Sequence, residues 1–271
     1  MTVGVVGCGL IGGSIGLACR SNGHRVSGFE PDPGSAKVAM DRGCIDELKS
    51  LEEVSQSDIT FICVPPGIVE TVIDSVMAAK PKHTVATDCT SVKGSVVSWL
   101  NENKCEMFVP GHPMAGHEKS GPQYSSAWMF RGAKWIITPA KFTYSGAIQK
   151  VEAMVKEMGA TPVRVKAERH DRDVALLSHL PHALAAVLVK LGGELESTEA
   201  SAGSWRDLTR VGGVDPNLWS QILCSNREEV AKILGEFNKT LGELQRLLEA
   251  HDQDGVKAFF EEAKVAKEKQ K

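Results

Sequence analysis

Apolar positions along the chain fall into two regimes. Up to about residue 166, short β-rich runs alternate with stretches of helical spacing. Residues 3–6 predict a strand, 11–21 a helix and 25–30 a second strand, with a second helix running to about residue 40. The run 59–64 is continuously apolar and ends at Pro65 and Pro66, as suits a strand buried on both faces. Helix-like residues 68–79 follow, then a strand at 84–88 and a helix at about 92–100. Strands at 107–110 and 134–138, a helix at 148–158 closed by Gly159, and a strand at 162–165 complete this half. Such alternation predicts an α/β fold, a doubly wound, mostly parallel sheet with helices on both faces.

From about Arg169 onward only helical periodicity remains. Leu176, Leu177, Leu180, Leu184, Val187, Leu188 and Leu191 recur at helical spacing, as do Leu234, Phe237, Leu241, Leu244, Leu247 and Leu248. Two domains are therefore expected: an α/β domain over 1–166 and an all-α domain over 167–271. The length of 271 residues accommodates both. Apolar stripes this wide bury against a second copy as well as against themselves, so a homodimer through the C-terminal helices is expected.

Composition narrows the picture. Hydrophobic residues make up 42% and charged residues 24%, as in an ordinary globular protein. The formal charge of −3 leaves no basic footprint for nucleic acid. The longest strongly apolar helical stretch, 183–189, is cut by Lys190 and falls short of the roughly 20 residues a bilayer span needs. No basic leader with a cleavage site precedes the first strand. The seven cysteines are scattered, odd in number and without a CxxC pair. They read as reduced thiols of a cytoplasmic protein, with no disulfide or zinc framework.

Gly7-Cys8-Gly9-Leu10-Ile11-Gly12 matches GxGxxG between a predicted strand and a predicted helix, the context that makes the motif informative. Gly7 permits the turn, Gly9 lets backbone approach a pyrophosphate, and Gly12 lets helix and sheet pack closely. The first half is thus expected to be a Rossmann-type dinucleotide-binding domain, with the phosphates at the helix N-terminus. Glu30 lies about 20 residues on, at the end of the second strand, where a carboxylate bonds both ribose hydroxyls and repels a 2′-phosphate. Asp32 is the competing carboxylate. NAD is favoured over NADP. Leu10, Ile11, Cys63, Val64 and Pro65 are expected to complete the cofactor site.

Three further segments carry chemistry. Thr87-Asp88-Cys89-Thr90-Ser91-Val92-Lys93 lies at the C-terminal end of a predicted strand, where open α/β sheets place ligands. Gly111-His112-Pro113-Met114-Ala115-Gly116 ends the next strand, and a histidine there is a candidate general base. In the helical half, Ser178-His179-Leu180-Pro181-His182 precedes Trp205-Arg206-Asp207-Leu208-Thr209-Arg210. His179 and His182 can share a helix face, as can Arg206 and Arg210. An arginine fork is a natural clamp for a carboxylate. His170, His179 and His182 have no acidic or thiol ligand at metal spacing, so no metal is expected.

In this order the glycine motif, TDxxSVK, GHPMAG, SHLPH and R-D-x-T-R resemble the prephenate/arogenate dehydrogenase family of tyrosine biosynthesis, over nearly the whole chain. The resemblance implies an NAD(P)-dependent oxidative decarboxylation. A ring hydroxyl is oxidised, hydride passes to nicotinamide, and carbon dioxide leaves as the ring becomes aromatic. His112 would take the hydroxyl proton, and Ser91 would hydrogen-bond both that hydroxyl and His112. Arg210 would bind the substrate carboxylate, with His179, His182 and His170 lining the pocket. Lys93 would order its loop or face a carboxylate, Asp88 would cap, and Arg206 would be structural. His182 tilts the expectation toward prephenate, giving 4-hydroxyphenylpyruvate, with arogenate, giving tyrosine, as the alternative. A silent dinucleotide sensor would keep the glycines but would not need Ser91, His112 and Arg210 together.

Overall fold

The computed structural model describes residues 1–117, 119–195, 197 and 199–269. Its first part runs β1 (Thr2–Val6), α1 (Leu10–Ser21), β2 (Arg25–Phe29), α2 (Pro33–Asp41), β3 (Glu47–Leu48), α3 (Leu51–Ser55) and β4 (Ile59–Ile62). Then come α4 (Val69–Ala79), β5 (Val85–Asp88), α5 (Gly94–Glu102) and β6 (Phe108–Val109). These strands form a six-stranded sheet in the order β3-β2-β1-β4-β5-β6, every pair parallel. The order reverses between β1 and β4, and such a switch point opens a ligand crevice beyond the strands' C-terminal ends.

Strand alternation sends successive side chains to opposite faces. Val3 and Val5 pack with Ile15, Cys19, Val151 and Val155 in one apolar layer. Val6 and Ile62 pack with Ile73, Val76, Val96 and Leu100 in the other. The short elements β3 and α3 were not anticipated from the sequence. A reciprocal capping box of Ser50 and Glu53 starts α3.

The chain departs from a single sheet after β6. The segments at 134–138 and 162–165 do form strands, but in a second, three-stranded sheet, β7 (Gly111–Pro113), β8 (Lys134–Ile137) and β9 (Thr161–Arg164), in that order. β7 pairs antiparallel with β8, and β8 parallel with β9. Pro110 sits at the break. It has no N–H to continue the first ladder, while its carbonyl accepts the Thr138 amide at 3.0 Å. α6 (Ser145–Glu157) joins β8 to β9 and supplies Val151 and Val155 to the first apolar layer.

The C-terminal part contains α7 (Ala167–Val174), a π turn (Ala175–His179), α8 (Leu180–Gly192), α9 (Gly203–Thr209) and α10 (Pro216–Ser225). α7, the π turn and α8 form one continuous helix of 26 residues, long and apolar enough by length and composition to cross a membrane. The expected interruption at Lys190 does not shorten it. Pro181 explains the π turn: it offers no N–H to the preceding turn, and the Leu180 amide bonds back to the Ala175 carbonyl.

Two compact units emerge, Met1–Asn226 and Arg227–Lys271, whereas the sequence pattern divides at residue 166. Hydrogen bonds account for the difference. Asp171 in α7 accepts the amides of Lys93 and Gly94 at 2.8 and 2.7 Å, and Gln221 in α10 accepts that of Gly67 at 3.0 Å. The second unit holds α11 (Arg227–Glu249) and α12 (Gln253–Glu268), whose N-cap Asp252 accepts the Gly255 amide at 2.9 Å.

Candidate active site

The crevice at the switch point is built by the segments that follow β1, β4 and β5. Gly7 has φ +88°, and a Cβ there would lie 2.6 Å from the Cys63 carbonyl oxygen, so only glycine fits. A Cβ on Gly12 would run into the Gly7 carbonyl and lie 2.9 Å from Val5. A Cβ on Gly9, by contrast, would meet nothing within 4 Å. The middle glycine is thus the open one, where a ligand's phosphates can approach backbone. Gly9 is also the N-cap of α1 and makes no side-chain cap bond, which leaves the first-turn amides to an anion.

Glu30 accepts the Cys8 amide at 2.8 Å and the Asp32 amide at 3.1 Å. These bonds hold its carboxylate beside the glycine loop. Asp32, the competing carboxylate, is instead the N-cap of α2 and accepts the Ser35 amide at 2.7 Å. Cys63 lies opposite Cys89, sulfur to sulfur 3.7 Å, with both thiols free. Val64 and Pro65 follow on the same edge.

The segment after β5 is pinned by a buried ion pair. The Lys93 ammonium, fully buried, bonds the Asp88 carboxylate, the Thr90 hydroxyl at 3.0 Å and the Gly111 carbonyl at 2.8 Å. Asp88 also accepts the amides of Thr90 at 3.0 Å and Gly111 at 3.2 Å. One carboxylate and one ammonium thereby fix both the loop carrying Ser91 and the strand carrying His112.

His112, half-buried on β7, meets His170 of α7, Nδ1 to Nε2 at 2.9 Å with the rings edge-on. His170 Nδ1 in turn meets Asp171 Oδ1 at 2.7 Å. Burial, and then the nearby His170, Lys93 and His179, hold the His112 proton affinity well below that of an ordinary histidine. The ring is therefore neutral at neutral pH. The expected Ser91–His112 bond is not formed among the described residues. The partner of His112 is His170, whose ring α7 carries against β7.

His179 and His182 come together on the π turn and the first turn of α8. His179 Nδ1 lies 3.2 Å from Asn226 Nδ2, which also donates to the Asp171 carbonyl at 2.8 Å. His182 Nδ1–H donates to the Ser178 carbonyl at 2.8 Å, and its ring stacks on Trp219 at 3.7 Å between centroids. Burial lowers both proton affinities, that of His179 to about 4. Arg210 lies close enough to His182 to add to that lowering. Among the described residues neither Arg210 nor Arg206 has a carboxylate partner, and both are exposed. Sequence reasoning missed Asp171 and Asn226. A carboxylate directly after His170 was the one available signal.

Comparison with known proteins gives the context. A family model described as "Prephenate dehydrogenase, nucleotide-binding domain" matches residues 15–164, and one described as "Prephenate dehydrogenase, dimerization domain" matches residues 166–262. The chain belongs to the prephenate dehydrogenase family. A cyclohexadienyl dehydrogenase of Zymomonas mobilis is 31% identical over 98% of this chain and 94% of its own length. A prephenate dehydrogenase of Bacillus subtilis is 29% identical over 97% of this chain and 74% of its own. Among solved structures, prephenate dehydrogenase from A. aeolicus, in complex with hydroxyphenyl propionate and NAD+, superposes with a TM-score of 0.91. It is 30% identical and covers 100% of this chain and 98% of that one. The two family models together span most of this chain, the nucleotide-binding one before the dimerization one.

Proposed function

We propose that the chain catalyses the NAD-dependent oxidative decarboxylation of prephenate, with arogenate as the alternative substrate. The observation that carries this reading is a half-buried His112 on β7, tied through Gly111 and Lys93 to the C-terminal end of β5, in a sheet whose β1 ends in an open glycine loop. The same edge carries Ser91 after β5, and the helical part adds His179, His182 and an exposed Arg210 with no carboxylate partner among the described residues. Relatives named for prephenate and cyclohexadienyl substrates support it.

The residues divide the work by their chemistry. The uncapped amides of α1 and the open backbone at Gly9 suit a pyrophosphate, with Gly7 and Gly12 holding that geometry and Leu10 and Ile11 beginning the helix. Glu30 accepts ribose hydroxyls and disfavours a 2′-phosphate, which selects NAD. Cys63, Val64 and Pro65 border the cofactor on the β4 side. NAD, when bound, supplies the hydride acceptor. His112 accepts the proton of the ring hydroxyl, and the Ser91 hydroxyl holds that oxygen in line. Arg210 clamps a substrate carboxylate with its planar fork. Neutral His179 and His182 offer no anion to an ammonium group, which favours the keto side chain of prephenate over the amino side chain of arogenate.

The functional division follows the sequence pattern, 1–166 for the dinucleotide and 167–271 for substrate and dimer contacts. Seven free thiols fit a reducing, cytoplasmic setting. An absorbance assay of NADH formation that crosses prephenate and arogenate with NAD and NADP tests the whole reading. Expected are the highest kcat/KM with prephenate and NAD, and His112→Asn without turnover but with NAD binding intact. No turnover of either substrate, or a near-normal His112→Asn enzyme, would overturn it.

A further inference from the structure

The hydrogen bonds behind His112 fix where its protons are. The Asp171 carboxylate can only accept, so the bond at 2.7 Å places a proton on His170 Nδ1. A neutral His170 then turns a lone pair from Nε2 toward His112 Nδ1, 2.9 Å away. The proton between these two nitrogens belongs to His112 Nδ1. The free lone pair of His112 is therefore on Nε2, on the opposite side of the ring. Asp171 is itself held: Oδ1 also accepts the Lys93 amide at 2.8 Å, Oδ2 the Gly94 amide at 2.7 Å, and its carbonyl the Asn226 side chain at 2.8 Å.

The same bonds leave His170 nothing to offer a substrate. Both its ring nitrogens are engaged, and the residue is only 3% exposed. It stands behind the base rather than in the pocket, contrary to the lining role the sequence implied. Burial and the neighbours His170, Lys93 and His179 disfavour a positive charge on His112, so the isolated ring is a reluctant proton acceptor. Lys93 is offset by its partner Asp88. Among the described residues the anion in contact with these histidines is Asp171, through His170.

We infer that His170 and Asp171 form a positioning pair that relays the proton away from His112 during oxidation. The inference rests on the reading of His112 as the base. As the substrate O–H bond breaks, its proton bonds to His112 Nε2 and its electron pair forms the ring C=O, while hydride leaves the same carbon for the bound NAD. The His112 Nδ1–H bond breaks as a proton bonds to His170 Nε2. His112 ends neutral in its other tautomer, and the new cation rests on His170, hydrogen-bonded to the Asp171 carboxylate. The pair thus compensates a charge that burial otherwise opposes.

Two variants test this in the full-length enzyme. His170→Gln keeps an acceptor for His112 Nδ1–H but cannot take up a proton. Its kcat should fall about tenfold or more, with the KM for substrate and the affinity for NAD within about twofold of wild type. Asp171→Asn removes the anion, so kcat should fall and the acidic limb of the kcat/KM profile should move to lower pH. A merely structural role would not separate kcat from KM in this way or shift the limb downward. Because Asp171 also holds two amides, an Asp171→Asn chain that fails to fold leaves the decision to His170→Gln, whose wild-type side chain hydrogen-bonds only His112 and Asp171 among the described residues. Wild-type kcat in His170→Gln, or an unmoved limb in folded Asp171→Asn, overturns the relay alone. A wild-type enzyme inactive on both substrates overturns the base reading and the relay with it.

Discussion

Arg210 is an exposed guanidinium near the half-buried His182 and has no carboxylate partner among the described residues. Charge-assisted hydrogen bonds from such a group are worth about 1.5–3 kcal/mol, roughly a 10- to 150-fold change in binding. Arg210→Gln should therefore raise the KM for the carboxylate substrate by about that factor and lower kcat much less. Steady-state kinetics would remove Arg210 from the site if KM stayed at its wild-type value. Arg210 could be singled out beforehand because its motif is local, as could the glycines, where residue type alone fixes what the backbone can do. Asp171 could not. Its main partners are 77 and 78 residues away at Gly94 and Lys93, and only packing brings them together. The engagement of both His170 ring nitrogens was illegible for the same reason: a pattern on one helix does not reveal which ring nitrogen is already taken.

Among the helices, the one spanning residues 167–192 does two jobs with two faces. One face carries His170, Asp171 and His179, all buried. Another leaves Leu177, Val187 and Leu191 more than half exposed, a run of large apolar side chains that solvent alone does not suit. The periodicity of these leucines was legible from the sequence, whereas the π turn was not, because it depends on how Pro181 withholds one amide. The segment matches a model described as a dimerization domain, so a second copy of the chain is the occupant to test on that face. Replacing both Val187 and Leu191 by Glu should then convert a species of twice the single-chain mass into a monomer in sedimentation experiments at micromolar concentration. A double variant with the wild-type sedimentation coefficient would show that other surfaces hold the copies together.

For the molecule as a whole, the parallel sheet was legible because buried strands are continuous apolar runs, while the second sheet depended on a break at Pro110 that hydrophobicity does not register. What no pattern could reveal is that the fold keeps several imidazoles uncharged, and this has a consequence for stability. Burial lowers the proton affinities of His112, His179 and His182, the second to about 4 from a usual 6.5. Below about pH 6.5 the unfolded chain takes up protons that the folded chain refuses, so stability falls as pH drops toward 4. Above that range these groups contribute no pH dependence. At about 1.4 kcal/mol per unit, His179 alone removes on the order of 3 kcal/mol by pH 4. Asp171 acts in the same direction at lower pH. Burial raises its pKa, but the bonds from His170, Lys93 and Gly94 outweigh that, and the stability they confer is lost once the carboxylate is protonated. Between pH 6.5 and 5 ordinary carboxylates remain ionised, which isolates the histidines as the cause. Urea unfolding should show a midpoint that is flat above pH 7 and declines from pH 6.5 to 5. In His179→Gln, which keeps an acceptor for Asn226 but does not titrate, the decline should be shallower by up to one proton. A midpoint that rises with acidity, or a His179→Gln slope identical to wild type, would mean that this ring is charged in the folded protein.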